Sequence, residues 1–488
     1  MTQSILIYPQ LEFANVQIPT PPYSILFIAD YLMKRNIGVE IFDLRFDEIS
    51  SVLDGISNND PEFVGISAMT GPQIHYALKI SEIIKKEYDK IKIVWGGVHS
   101  TILPTQTLQN AFVDYVVRGE GEKPYYELIS GKELHQIKGL SFKKEKKIYH
   151  NPNSDMLTRS ELNQLSIPWN LINPKRYVRN GSFNAITSRG CPFKCAFCYN
   201  TLFNNVWRGW TAEKCAQELN KCLDFGVKKI TFYDDYFFAN SKRIKDLFIY
   251  FKEQEIKWKA ELRVNRLDYS LAKEAKSSGC TQLYFGAESG SQRVLEILNK
   301  NITPKDIIQS AKITRDNDLS ADYSWMIGTP GETKSDIKKT LTLVKRIKEI
   351  NPKIEFSIKI LFPYPGTEVY NLAKQEGFNP PSNLMEWAKI RRDRASDYLN
   401  HRNQLETISL TSAIIGKSVF QQENIAIFKL LRILADFRWN HQFFGFGFEN
   451  FYFNIFRELI DKVMSKRKSV EYDPFANEFV SIKDNKKI

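Results

Sequence analysis

Three cysteines fall within eight residues, Cys191, Cys195 and Cys198, in the stretch Thr187-Ser188-Arg189-Gly190-Cys191-Pro192-Phe193-Lys194-Cys195-Ala196-Phe197-Cys198-Tyr199-Asn200. The spacing Cys-x3-Cys-x2-Cys sets three soft sulfur donors on one short loop, the ligand type that iron–sulfur clusters take. Three thiolates can converge on one cubane cluster and leave its fourth iron without a local cysteine. A complete four-thiolate set serves electron transfer, whereas an incomplete one can bind a substrate. A structural zinc site is a competing use of the same thiols and needs a fourth ligand from Cys215, Cys222 or a distant histidine. Inert burial, common for free cysteine, is a third. Cys215, Cys222 and Cys280 fall on apolar helix faces or the end of one and read as core.

The elements that must position this loop follow from the pattern around it. The loop comes directly after a run at 183–187 that reads as a strand, and a β/α period returns six times between 181 and 385, with strands near 183–187, 229–233, 257–264, 282–286, 321–327 and 354–361. Six units predict an open, partial TIM-type (β/α)6 barrel, in which chemistry gathers at the strand carboxyl ends. Those ends carry the cysteines, Asp234-Asp235, Arg263 with Asn265, Glu288-Ser289, Gly328-Thr329-Pro330-Gly331 and Pro363-Tyr364-Pro365-Gly366. Residues 1–130 alternate strands at 5–8, 39–44, 63–67, 91–96 and 115–118 with helices such as 23–34 and 72–87, which predicts a doubly wound, Rossmann-like parallel sheet. Residues 131–180 read as a linker with an exposed hairpin around Lys143-Lys144-Glu145-Lys146-Lys147, and 386–488 as a mostly helical region. The latter holds an aromatic concentration, Phe443, Phe444, Phe446, Phe448, Phe451, Tyr452, Phe453 and Phe456, whose spacing fits neither a helix stripe nor a strand.

Composition bounds the function classes. The chain has 488 residues, too many for one ordinary core, and its 43% apolar content with 33 Phe and 22 Tyr excludes wholesale disorder. A net charge of +12 permits an anionic partner, but the basic residues are scattered and collect in no arm, so no nucleic acid is expected. No run reaches the roughly 18 apolar residues of a membrane span, and the opening Met1-Thr2-Gln3-Ser4-Ile5-Leu6-Ile7-Tyr8-Pro9 reads as a strand rather than a secretory signal. A cytoplasmic location, with reduced thiols, is the expectation.

The cysteine loop, with aromatic Phe197 before the third cysteine, resembles that of the radical S-adenosylmethionine (SAM) enzymes. The downstream order of Trp207-Arg208, Asp234-Asp235-Tyr236-Phe237 with Arg243, Gly286-Ala287-Glu288-Ser289-Gly290, Gly328-Thr329-Pro330-Gly331-Glu332-Thr333 and Pro363-Tyr364-Pro365-Gly366-Thr367 is similar to the branch with an N-terminal cobalamin-binding domain. The resemblance spans residues 5–370 and implies that Cys191, Cys195 and Cys198 hold a [4Fe–4S] cluster whose open iron chelates SAM, which an electron cleaves to a 5′-deoxyadenosyl radical. Phe197, Arg263, Glu288, Ser289, Gly328, Pro330 and Gly331 are the SAM-binding candidates; the glycines permit close backbone approach and the proline stiffens the turn.

In the first domain, Pro19-Thr20-Pro21-Pro22-Tyr23, the 65–71 stretch, Gly96-Gly97-Val98-His99-Ser100-Thr101 and Arg118-Gly119-Glu120-Gly121-Glu122 are similar to the cobalamin-binding half of that branch. Ser67, Thr70, Gly71, Gly96, Gly97 and His99 are the candidates to line that cofactor. The Asp-x-His-x-x-Gly motif of proteins that place histidine on cobalt does not occur, so neither His75 nor His99 is expected to ligate it. The resemblance implies methylation of an unactivated carbon of a small molecule, a natural product, lipid or tetrapyrrole-like compound, and a reducing donor such as flavodoxin or ferredoxin. The aromatic cluster reads as ordinary core packing, with a pocket for an apolar or ring-bearing substrate or a membrane-facing surface as its alternatives. Oxidative cyclisation or rearrangement is the alternative outcome. Methylthiolation of tRNA suits the charge but lacks the further N-terminal cysteine triplet, and a cobalamin carrier leaves the iron loop unexplained.

Overall fold

Short β-branched runs separated by amphipathic stretches have few ways to bury both faces other than parallel pairing with helices packed on each side. The computed structural model describes residues 2–10, 18–390, 399, 401–417, 426–445, 470–473 and 478–481, and it is an α/β structure built on two large, mainly parallel sheets. The first sheet holds β1 (Thr2–Tyr8), β2 (Gly38–Asp43), β3 (Phe63–Ser67), β4 (Lys92–Gly96), β5 (Tyr115–Val117), β6 (Leu140–Lys144) and β7 (Lys147–His150) in the order β2-β1-β3-β4-β5-β6-β7. Strands β1 to β5 run parallel, as the alternation predicts, with helices Tyr23–Met33, Ile49–Asn59 and Gln73–Glu87 as crossovers.

The lysine-rich hairpin read as part of a linker instead continues this sheet. β6 pairs antiparallel with β5, and β7 with β6. Its two-residue turn places both Glu145 and Lys146 at positive φ, 51° and 63°, the backbone twist that matches paired strands. The apolar flank explains the docking: Phe142 is fully buried and stacks on Tyr149 at 5.4 Å. A linker reading weighs the charged turn; packing is decided by the inward face.

The second sheet, β8 (Ser182–Ala185), β11 (Lys229–Phe232), β12 (Lys257–Glu261), β13 (Cys280–Glu288), β14 (Ser320–Ile327) and β15 (Ile354–Ile360), is all parallel in the order β15-β14-β13-β12-β11-β8. Between its first two strands lies a two-residue ribbon, β9 (Ser188–Arg189) against β10 (Arg208–Gly209). This is the open six-stranded barrel that the period predicts. Leu283, Phe285, Tyr323, Trp325 and Phe356 alternate outward into the helix layer, where the Tyr323 hydroxyl meets Ser310 at 2.8 Å. The opposite face of the same strands carries Lys259, Glu261, Gln282, Tyr284, Ser324 and Lys359, so the barrel lumen is polar.

An open barrel leaves a free strand edge, here β15. Helix Arg402–Gly416 covers it: the Ile358 N–H donates to the Ser412 hydroxyl at 2.9 Å, and a Cβ on Gly416 would stand 2.1 Å from the Phe356 carbonyl, so only glycine permits the approach. Helix Ala426–His441 follows, then the hairpin β16 (Val470–Asp473) and β17 (Glu478–Ser481). Of the C-terminal aromatic concentration, Phe443 is exposed and Phe444 buried; Phe446, Phe448, Phe451, Tyr452, Phe453 and Phe456 lie outside the described residues. Among the described residues no helix is long and apolar enough to cross a membrane.

Candidate functional site

The cysteine loop leaves β9 through Gly190, whose φ is +81° and whose Cβ, were there one, would lie 2.3 Å from the Val206 carbonyl. A side chain there would displace the loop. Asp235, at the carboxyl end of β11, pins both ends of it: its carboxylate accepts from the Gly190 N–H and the Asn200 side-chain amide, each at 2.8 Å. The loop's middle is tied to the far side of the barrel by the Ala196 N–H on the Leu298 carbonyl, 2.9 Å, and by the Val369 N–H on the Ala196 carbonyl, 3.1 Å. Neighbouring Asp234 serves structure instead, accepting from the Thr187 N–H at 3.1 Å and hydroxyl at 2.8 Å and from Ser188, while Arg243 donates to the Trp210 carbonyl and to Thr187.

The three thiols lie within electrostatic reach of one another, and burial raises Cys191 and pushes Cys198 up to about 12. Without metal Cys191 and Cys198 are therefore protonated at neutral pH, so loading a cluster must release those protons. Among the described residues no three His, Cys or carboxylate groups converge on a single-ion site. The competing zinc reading loses its ligands as well: Cys215 and Cys222 are buried on helix Ala212–Asp224, Cys215 against Arg243 at 3.2 Å and Cys222 donating to its own helix at the Glu218 carbonyl. Cys280 is likewise core. The donor set of Cys191, Cys195 and Cys198, soft and incomplete, fits three corners of a cubane.

Around the loop stand charged groups with unfilled valences. Arg263 is buried, lies over the Phe193 ring at 3.9 Å, reaches the Cys195 sulfur at 3.6 Å and donates to the Lys300 carbonyl, yet its Nε has no partner. Glu288 ends β13 in a left-handed conformation, φ +61°, at an irregularity in the pairing with β14. Its carboxylate meets Lys300 at 2.6 Å, and Lys300 lies 5.6 Å from the Phe197 ring. Burial alone would lower the Lys300 ammonium, and Glu288 together with Cys195 outweighs burial and raises it.

Sequence reading missed Lys300; the signal was a lysine in the loop just past helix Gln292–Ile297, which only its return to Glu288 makes informative. Ser289, predicted for SAM, turns the other way: it is fully buried, meets Thr340 at 3.1 Å and accepts from the Ser291 N–H, so it shapes the turn.

The 328–331 turn is tightly constrained. Gly328 and Gly331 both have φ +78°, and Glu332 accepts from the Gly328 N–H at 2.6 Å, fixing the turn from behind. Burial raises the Glu332 carboxyl to about 7, and its other oxygen and the Thr329 hydroxyl are buried without partners. Orphaned polar atoms at Arg263, Thr329 and Glu332 on one barrel rim are what an absent polar ligand leaves behind.

A cavity of about 330 Å³ joins the two sheets. From the first sheet it is lined by the strand ends at Ser67, Gly96, Gly97 and Gly119, and from the barrel rim by Arg189, Tyr199, Tyr233 and Asp235. The glycines keep it open: a Cβ at Gly97, φ +91°, would stand 2.6 Å from the Ala68 carbonyl, and at Gly119 nothing lies within 4 Å. The cavity lies where the flat cofactor is expected, beyond the carboxyl ends of the strands, and it abuts the residue after Cys198.

Thr70, Gly71 and His99 do not line it. His99 is wholly buried, bonded through Nδ1 to Thr70 at 3.1 Å and set 5.7 Å from Trp387 of helix Leu384–Lys389, and burial lowers it to about 3. That helix packs on Gln73–Glu87, a long-range contact no local pattern announces.

Comparison with known proteins gives independent findings. Family models for the "Radical SAM superfamily" and the "B12 binding domain" match residues 185–344 and 11–129. The chain is similar to an uncharacterized methyltransferase of Pyrococcus horikoshii, 34% identical over 390 residues, 76% of this chain and 82% of that one. It is 25% identical to the anaerobic magnesium-protoporphyrin IX monomethyl ester cyclase of Cereibacter sphaeroides over 364 residues, 69% of this chain and 58% of that one.

The fold is that of the cobalamin-dependent S-adenosylmethionine radical enzyme OxsB, at TM-score 0.72 and 16% identity, covering 95% of this chain and 80% of that one. The radical S-adenosylmethionine methyltransferase TsrM of Kitasatospora setae gives 0.65 and 17%, covering 79% and 82%. With both domain models in order and a third of positions shared with the Pyrococcus protein, the chain belongs to the radical SAM enzymes that carry an N-terminal cobalamin-binding domain, in the methyltransferase family of that relative, whose cofactors are a [4Fe–4S] cluster, SAM and cobalamin.

Proposed function

We propose that this protein methylates an unactivated carbon of a small molecule. The observation that carries the reading is the 330 Å³ cavity, which opens from glycine-cleared strand ends directly onto the cysteine-loop rim at Tyr199 and Asp235. A methyl carrier and a radical source used in one reaction must be neighbours, and the shared cavity supports that reading.

Cys191, Cys195 and Cys198 would hold the cluster, with Gly190 and Asp235 setting the loop's position. Arg263, Glu288, Lys300 and the 328–331 turn offer SAM a cation for its carboxylate, an acceptor for its amine or ribose hydroxyls, and close backbone; Phe197 packs beside Lys300. Ser67, Gly96 and Gly97 would face cobalamin, while His99 is held away from the cavity by Thr70 and Trp387. When bound, these groups supply radical formation and methyl transfer, and the protein supplies placement and exclusion of water. The polar lumen with Tyr233, Glu261 and Lys359 receives the substrate, and the electrons come from a small reductant protein such as flavodoxin or ferredoxin.

The test is anaerobic reconstitution with iron, sulfide and hydroxocobalamin, then reduction with trideuteromethyl-SAM. Label transferred first to the corrinoid and then to a small-molecule product supports methylation. Formation of 5′-deoxyadenosine with an unlabelled, rearranged product supports the cyclase alternative, which the Cereibacter relative keeps in view. Failure to cleave SAM at all rejects both.

A further inference from the structure

The loop Arg118-Gly119-Glu120-Gly121-Glu122 follows β5 and borders the cavity, yet its two carboxylates are already engaged. Across the cavity, the ribbon β9–β10 places Arg189 and Arg208 directly opposite each other. Two like charges at paired positions repel. Both arginines reach Glu120: Arg189 at 3.2 Å, Arg208 at 2.9 Å to one oxygen and 3.0 Å to the other. Arg189 also meets Glu122 at 2.6 Å. All four side chains are largely buried, at 19%, 8%, 14% and 3% exposure for Arg189, Arg208, Glu120 and Glu122.

Further hydrogen bonds reach the quartet from a third direction, at the other Glu120 oxygen and at Arg208. The Leu157 N–H donates to Glu120 at 2.7 Å and the Leu157 carbonyl accepts from Arg208 at 2.7 Å. Phe27, from the first crossover helix, lies under the Arg189 guanidinium at 5.0 Å.

We propose that this buried quartet is a positioning device that registers the cysteine loop against the cavity, and that Glu120 and Glu122 hold the barrel rather than any ligand. Each half of the quartet is unfavourable alone: paired arginines on one element, neighbouring carboxylates on the other. Neutrality is reached only when the two sheets are docked in this register, so buried registers that strand one of these charges are disfavoured. Arg189 is two residues from Cys191, with only Gly190 between, so wherever Arg189 is anchored the first cluster ligand follows. The identity of the cavity's occupant rests on the function proposed above; the clamp itself does not.

The test compares wild type with E120Q/E122Q, and with the charge swap E122R/R189E. In the protein without cofactors, amide hydrogen exchange over 188–198 is expected to rise about tenfold in E120Q/E122Q and to return within about threefold of wild type in the swap, while β13 and β14 amides stay protected. If β13 and β14 also lose protection, the single variant E122Q is read by the same criteria. Unchanged exchange at 188–198 with the barrel core intact overturns the clamp.

In the loaded protein, pulsed dipolar spectroscopy between the reduced cluster and cob(II)alamin should give one narrow distance in wild type and a broad distribution in E120Q/E122Q. Equal widths overturn the positioning role. A wild type that binds no corrinoid sinks the proposed function instead, and the exchange result then decides the clamp by itself.

Discussion

Replacing Lys300 with methionine isolates a buried ion pair at the barrel rim. The Glu288–Lys300 contact is 2.6 Å, with side chains 8% and 9% exposed, so water cannot take over the lost partner. Breaking a buried pair from one side costs about 3–5 kcal/mol, because it strands a charge, whereas removing both charges is close to neutral. K300M should therefore lose about 3–5 kcal/mol, and E288Q/K300M should recover most of it, a coupling of at least about 2 kcal/mol. Urea unfolding of the protein without cofactors, followed by tryptophan fluorescence, gives the barrel transition: Trp258 and Trp325 are both fully buried there. Additivity of the two single variants within about 0.5 kcal/mol would refute the pair as the organiser of this rim.

Three further outcomes are expected. Exchanging Cys191, Cys195 and Cys198 for alanine should abolish iron binding and the cluster's visible absorbance while the circular dichroism is retained, since the loop is also held by Asp235 and by backbone bonds. Gly97→Ala should cost about 1–3 kcal/mol through its positive φ and abolish corrinoid retention in gel filtration, because the added methyl meets Ala68 at 2.6 Å. Glu332, raised by burial to about 7, favours the folded state most when protonated. Relative to E332Q, the wild type should thus lose up to roughly 1.4 kcal/mol per pH unit between the ordinary carboxyl value and about 7 and be level above it, and a parallel pH dependence of the two proteins would contradict that.

What could be read from the residues alone was whatever is encoded over short separations. The cysteine spacing specifies a ligand set because three donors on one loop need no distant partner. Strand periods and the glycine turn at 328–331 likewise express local backbone physics, and they led to both parallel sheets and to the barrel rim. The lysine hairpin misled because its turn is charged while its packing is decided by Phe142 and Tyr149 against a sheet formed far upstream.

Only tertiary structure decided which chemically able residues are free to act. Glu288 is matched to Lys300 twelve positions on, Ser289 is turned into the core by Thr340, and His99 is covered by Trp387, nearly three hundred residues later. Glu120 and Glu122 look like ligand-facing acids until Arg189 and Arg208 arrive from another sheet. A side chain's type fixes what it can do; its burial and its partners, set by contacts distant in the chain, fix whether it does so, and those contacts have no local signature.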